Sequence, residues 1–274
     1  MALCALSELE QYRVLPGLDI WVVPDFARHV LGCDAALLQR ELERAYGIVG
    51  KGDAITPAAA QWVDGAHKAL NYRGNELKRS KMWFQKGDPR ECGYVKYYYT
   101  GWTRGIVSAT SDVAACPLLA PVAARYDTWA VDIGYPAANH YIVTKYVDGA
   151  NCIGWHYDKP KSIAPGSLIT VVKTGAHGRP FQLRHRLKLE RLADEDAKAF
   201  KKRMDAAQAR EQPFFDQVVA PGSAIIMTLE ANLLTQHGVP AVPEAAPTGS
   251  LVFRTITERV FGVAGAAPKR RRVK

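Results

Sequence analysis

No apolar run in this chain approaches the roughly 20 residues needed to cross a bilayer, and the opening Met-Ala-Leu-Cys has no basic segment leading into an apolar signal core. The expectation is an intracellular protein with no membrane partner. Cysteine is sparse and unpatterned. Cys4, Cys33, Cys92, Cys116 and Cys152 are odd in number and widely spaced, with no Cys-x-x-Cys pair. That excludes a disulfide framework and a cysteine-built zinc site, and it suits a reducing compartment. Internal repeats are missing as well, and no low-complexity segment occurs outside the tail.

Acidic residues are the minority charge. The 27 Asp and Glu stand against 36 Lys and Arg, a formal net charge of +9, and such a positive field attracts polyanions, nucleic acid among them. Part of the excess sits in Pro268-Lys-Arg-Arg-Arg-Val-Lys274, after Gly265-Ala-Ala, so residues 263–274 are expected to form a disordered basic tail. The tail resembles a nuclear-localisation sequence, which would make the protein nuclear; a loose nucleic-acid tether and a cloning remnant are the alternatives. The rest is ordinary for a folded chain, with 48% hydrophobic and 23% charged residues over a length of 274 that buries a substantial core. One domain and a monomer are expected.

The pattern changes along the chain. A short strand, Ile20 to Val23, precedes a helix that Asp34 caps and that runs to Tyr46, with Leu38, Leu42 and Ala45 near helical spacing. Thr56-Pro57 opens a second helical candidate reaching about Leu70, and Pro117 to Thr128 is a third. From His140 onward, short apolar runs are separated by turn signals. The runs are Tyr141 to Tyr146, Ile153 to His156, Ser167 to Val172, Phe181 to Arg184, Ser223 to Met227 and Leu251 to Thr257. Asp148-Gly149, Ala164-Pro-Gly166, Gly178-Arg-Pro180 and Pro221-Gly222 mark the turns of an antiparallel sandwich or jelly roll. Leu189 to Glu211 interrupts this region with a charged, Ala-rich helical pattern, read as an insertion. The expected fold is therefore α+β: helical support and a substrate lid over 1–138, a β core over 139–262 with one inserted helix at about 189–211, and the tail.

Within the β region, Ile153-Gly-Trp-His-Tyr-Asp158 carries the most chemistry. Residues two apart on a strand share a face, so His156 and Asp158 can bind one ion together while Tyr157 points away. A lone His-x-Asp is a weak signal in a chain with seven histidines, and its bland reading is a surface strand feature. His237 follows 79 residues later, just beyond the strand Ala224 to Met227, where a strand-end histidine could close a triad. Two imidazoles and a carboxylate on one face of a metal form the facial triad of non-haem Fe(II) oxygenases. His29, His67, His140, His177 and His185 read instead as solvated or internally satisfied residues.

Successive blocks sharpen this. Asn139-His-Tyr-Ile-Val-Thr-Lys-Tyr146, Gly149-Ala150, Trp155-His-Tyr-Asp-Lys159, Phe181-Gln-Leu-Arg184, Pro221-Gly-Ser-Ala-Ile-Ile226, Thr235-Gln-His-Gly-Val239 and Val252-Phe-Arg254 resemble the AlkB family of Fe(II)/2-oxoglutarate dioxygenases over about residues 139 to 260. The resemblance implies a double-stranded β-helix, iron on His156, Asp158 and His237, and 2-oxoglutarate as co-substrate with its distal carboxylate on Arg254. A guanidinium suits that task, because a buried carboxylate needs a bidentate cationic partner. Tyr146 aligns with the family's co-substrate tyrosine, and Thr144 stands where the family usually has Asn. The Tyr146 to His156 interval is one residue longer, and the usual second arginine position holds Val260, with Arg259 one residue early. These departures touch Tyr146 and Thr144 and leave the triad intact. Ascorbate is an expected stimulant.

Upstream, Asn71-Tyr-Arg-Gly-Asn-Glu-Leu-Lys-Arg-Ser-Lys-Met-Trp-Phe84 and Tyr94-Val-Lys-Tyr-Tyr-Tyr-Thr-Gly-Trp102 interleave bases with aromatics. Arg73, Lys78, Arg79 and Lys81 suit phosphates, with Arg184 a further candidate, and Tyr97, Tyr99 or Trp102 suits a flipped base. An edge hairpin with half-buried tyrosines and solvated lysines reads the same residues equally well. The Arg-Gly-Asn run is also loosely similar to the TET/JBP group of base-methyl oxidisers. The leading expectation is oxidation of a methyl group on a DNA or RNA base, with ring methyls of 5-methylcytosine or thymine ranked ahead of N-methyl demethylation. The same chemistry on a protein side chain or small metabolite is one alternative, and a non-catalytic nucleic-acid-binding module is another.

Overall fold

The computed structural model describes residues 5–46, 80–98, 106–108 and 111–261. In chain order these form α1 (Leu6–Leu9), β1 (Ile20–Val23), α2 (Phe26–His29), α3 (Ala35–Tyr46), β2 (Ser80–Gln85), α4 (Pro89–Cys92), β3 (Tyr94–Tyr98), β4 (Ile106–Ser108), β5 (Ser111–Asp112), α5 (Ala120–Asp132), β6 (His140–Tyr146) and β7 (Ile153–His156). There follow β8 (Leu168–Thr174), β9 (Arg179–His185), α6 (Ala197–Arg210), β10 (Phe215–Val219), β11 (Ala224–Thr228), α7 (Leu229–Leu234), β12 (Thr235–Val239), β13 (Thr248–Arg254) and β14 (Arg259–Val260). Among the described residues, the larger sheet is ordered β1-β11-β8-β13-β6-β2-β5, the smaller β10-β9-β12-β7, and β14-β3-β4 form a third. Pairing in the first two is antiparallel except between β2 and β5.

The larger sheet is covered on both faces. Tyr141, Val143, Leu168, Val172, Ile226, Leu251 and Phe253 pack against the helices through Phe26, Leu38, Leu42, Tyr126 and Trp129. Tyr126 stacks on Phe253 with ring centroids 4.0 Å apart, and its hydroxyl lies 2.8 Å from that of Thr170. The alternate positions, among them Tyr146, Ile169, Ile225 and Met227, meet Phe181, Leu183, Phe215 and Val239 of the smaller sheet. Burial on both faces explains why β8 and β11 show continuous apolar stretches instead of alternation.

Asp34 caps α3 as expected, accepting from the Ala36 and Leu37 amides at 2.9 and 2.8 Å. The helix expected from Pro117 starts at Ala120, after a turn in which the Leu119 and Ala120 amides both donate to the Cys116 carbonyl. The inserted helix is shorter than expected, Ala197–Arg210, because Asp196 accepts from the Lys198 and Ala199 amides at 2.7 Å each and fixes its start. The helical candidate Thr56 to Leu70 and the tail lie outside the described residues. Cys33, Cys92, Cys116 and Cys152 form no disulfide. Among the described residues no helix is long and apolar enough to cross a membrane.

Candidate metal centre

His156 ends β7, at the edge of the smaller sheet, and pairs in register with His237 on β12. Their ring centroids are 4.2 Å apart. His237 is not at the end of the strand before it, as expected from sequence. The one-and-a-half-turn α7 intervenes, and the histidine sits at the centre of β12. Asp158 is likewise past the last residue of β7, so the strand does not set its direction. Asn232 does. The Asp158 amide donates to Asn232 Oδ1 at 2.8 Å and Asn232 Nδ2 donates to the Asp158 carbonyl at 2.9 Å, with Asn232 fully buried on α7.

One ligand atom from each of His156, Asp158 and His237 lies within 4.8 Å of the others. His156 Nδ1 is 2.9 Å from the Gly154 carbonyl, which can only accept, so Nδ1 carries the proton and Nε2 offers a lone pair. His237 is 5% exposed and stacks near Phe181. Burial lowers its pKa, with Asp158 opposing and Arg254 adding to the fall, and so favours the neutral imidazole that ligates metals. The donor set, two imidazoles and one carboxylate, therefore fits a divalent transition metal.

Arg254, at the end of β13, reaches this carboxylate. Its Nη2 lies 2.7 Å from both Oδ1 and Oδ2 of Asp158, and the two side chains are only 8% and 3% exposed. The expected carboxylate partner of Arg254 was a ligand's; in this structure it is Asp158. Opposite Arg254 in the sheet register is His140, fully buried and held down at about 3 by burial, then Arg254, with Asp158 opposing. It is a neutral wall of the site that its sequence context did not single out.

Thr144 and Tyr146 both lie on the face of β6 turned toward the smaller sheet, 3% and 4% exposed. Lys81, expected at phosphates, sits on β2 opposite Thr144 and is 8% exposed, inside the sandwich. Arg184 neighbours the interior Leu183 and takes the opposite face of β9, over the Trp155 ring at 4.4 Å, with Nε donating to Gln236 Oε1 at 2.9 Å. It does not share the metal cavity. Tyr97 is in β3 opposite Val107, while Arg73, Lys78, Arg79, Tyr99 and Trp102 lie outside the described residues. Arg259 is occupied elsewhere, donating to the Lys86 and Gly93 carbonyls at 3.0 and 3.2 Å.

No protein-family model matches the chain. The protein described as "DNA oxidative demethylase ALKBH2" of Mus musculus is 30% identical over 137 residues, which is 50% of this chain and 51% of that protein. The chain thus spans about half the length of this curated relative. A solved structure titled "The structure of OsALKBH1" aligns with 88% of this chain and 98% of its own at 13% identity and a TM-score of 0.38, a likeness too distant to add weight. The resemblance read from the residue blocks and the identity to a curated relative agree: over about half of its length the chain is similar to a protein described as an AlkB-type DNA oxidative demethylase.

Proposed function

We propose that this protein is an Fe(II)/2-oxoglutarate-dependent dioxygenase, built on a double-stranded β-helix, that oxidises a methyl group on a nucleic-acid base. The convergence of His156, Asp158 and His237 to within 4.8 Å carries the reading. Apart from the paired β9 and β10, the strands β6 to β13 alternate between two sheets ordered β11-β8-β13-β6 and β10-β9-β12-β7, which supports the fold. The name of the relative and the net charge of +9 support the substrate class.

His156 through Nε2, His237 and the Asp158 carboxylate would hold the iron. Iron with 2-oxoglutarate and oxygen supplies an oxidant able to replace a C–H hydrogen with hydroxyl. The chain's own work is positional. Asn232 fixes the main chain of Asp158, Arg254 holds its carboxylate in place, and the apolar Phe181, Leu183 and Ile169 keep water from the interior. A hydroxylated N-methyl collapses to formaldehyde and free amine, whereas a hydroxylated ring methyl persists.

The test is incubation with Fe(II), ascorbate and 2-oxoglutarate on methylated DNA and RNA, with succinate and product nucleosides read by mass spectrometry. Iron-dependent succinate with a lost or hydroxylated methyl is the expected result, and His156→Ala or Asp158→Ala should abolish it while the protein stays folded. Full activity in His156→Ala would overturn the assignment. Succinate without any change in nucleosides points to a protein or metabolite substrate, and no succinate at all leaves a binding module.

A further inference from the structure

One level of the sandwich interior is polar across four strands of the larger sheet. Pairing places Lys81 opposite Thr144, Thr144 opposite Ser250, and Ser250 opposite Lys173, on β2, β6, β13 and β8. The four are 8, 3, 4 and 1% exposed. Strand alternation turns them toward the smaller sheet, because their neighbours Met82, Val143, Leu251 and Val172 belong to the helix-side core. Two ammonium groups and two hydroxyls thus share a buried row.

Lys173 is the unusual member. Among the described residues its Nζ has no carboxylate or hydrogen-bond partner; its contact is the face of Tyr146, 5.4 Å away, which it shares with the Arg179 guanidinium at 5.0 Å. Arg179 offers no neutralising charge and donates to the main-chain carbonyls of Asp148, Gly149 and Asn151. A lone ammonium in the interior is costly, and burial together with Arg179 brings its pKa down to about 7. Such a group is paired when an anion arrives. Arg254 cannot be that row's cation, since it lies four residues along β13 from Ser250, about 13 Å, and is bound to Asp158.

We propose that Lys173, flanked by Thr144, Ser250 and Tyr146, holds the distal carboxylate of the 2-oxo acid co-substrate, while Arg254 serves the metal end by holding Asp158. The proposal rests on the dioxygenase reading. It makes a second carboxylate the feature that selects the co-substrate, so a monocarboxylic 2-oxo acid of equal length should bind poorly.

The test is titration calorimetry on the intact protein loaded with Mn(II), using 2-oxoglutarate and 2-oxovalerate, which lacks the far carboxylate. Lys173→Met should weaken 2-oxoglutarate by about thirtyfold, the scale of one charge-assisted contact, leave 2-oxovalerate unchanged, and regain most of the loss as Lys173→Arg. Unchanged 2-oxoglutarate affinity in Lys173→Met overturns this assignment and leaves the dioxygenase reading standing. A wild-type protein that binds neither acid overturns both. A second measurement needs no variant. Among the described residues, the charged and titratable groups facing Lys173 are Tyr146 from β6, Arg179 from β9 and, along the row, Lys81 from β2. None is a carboxylate, so at pH 8 binding of 2-oxoglutarate should recharge the ammonium and take up close to one proton, read from the dependence of binding heat on buffer ionisation. Equal proton uptake for both acids would also overturn the assignment.

Discussion

At the scale of single residues, Asp158 is the hub, held from two sides by groups of different visibility in the sequence. His156 and Asp158 could be found because a two-residue spacing has a geometric meaning on strands. Asn232 could not, since it bonds only to main-chain atoms and any fold might have brought it there. Asn232→Ala leaves a buried amide and carbonyl unpaired and is expected to cost about 2 kcal/mol or more, with a weaker Mn(II) affinity. Thermal melting with and without metal reads both effects. Arg254→Met removes the partner of a buried carboxylate, a change that costs about 3–5 kcal/mol in comparable pairs. A bound divalent metal supplies the missing charge, so the loss in melting temperature should be clearly larger without metal than with it. Equal losses in both states would show that Arg254 does not serve the carboxylate. Lys173 follows directly on the apolar run Ser167 to Val172, where nothing in the sequence marks it as interior, yet it is 1% exposed.

At the scale of elements, strands with both faces covered were legible and those with mixed surroundings were not. β8 and β11 are continuous apolar runs and were found with their ends shifted by a residue or two. β10 buries only Phe215 and Val219 at its ends, and β12 is Thr-Gln-His-Gly-Val, so neither presents a periodic signal. β2 lies in the basic, aromatic stretch that reads equally as a nucleic-acid face or an edge hairpin, and its Met82 and Phe84 lie in the helix-side core. The inserted helix shows how separable an element can be. β9 and β10 pair directly, Leu183 against Phe215, and the chain between them carries α6, which has no buried residue. Replacing residues 189–211 with a short polar loop should leave Mn(II) affinity within about twofold and alter stability by about 1 kcal/mol or less. A lost metal site after that deletion would mean that the segment supports the centre. Gly149 is the opposite case. A Cβ there would lie 1.7 Å from the Val242 carbonyl oxygen, so Gly149→Ala must displace a segment that Arg179 also ties down through Asp148 and Pro240, and a lower melting temperature is expected.

For the whole molecule, charge and fold play separate parts. The net charge of +9 is a statement about partners and says nothing of the sandwich. If polyanion binding underlies turnover, the apparent affinity for DNA or RNA should drop by at least tenfold between about 50 and 200 mM salt, as read by fluorescence anisotropy, whereas 2-oxoglutarate affinity should change little because the site proposed for it is inside. Salt-independent nucleic-acid affinity would place the substrate elsewhere.

The larger sheet draws β1 and β2 from the N-terminal part and β6, β8, β11 and β13 from the C-terminal part, so the helical layer and Arg254 rest on one scaffold. The three proposed ligands are unequally anchored. His237 is on an inner strand of the smaller sheet, His156 ends β7 at its edge, and Asp158, two residues on, is held by Asn232 and Arg254. Lifting that one strand would detach His156 and, as the bonds from Asn232 to Asp158 give way, a second ligand after it, so that the ion's lifetime would follow the opening rate of the edge. Amide hydrogen exchange at Trp155 to Asp158 should then keep pace with metal exchange and slow in step with it as the ion's concentration rises, while the amide of His237 hardly responds.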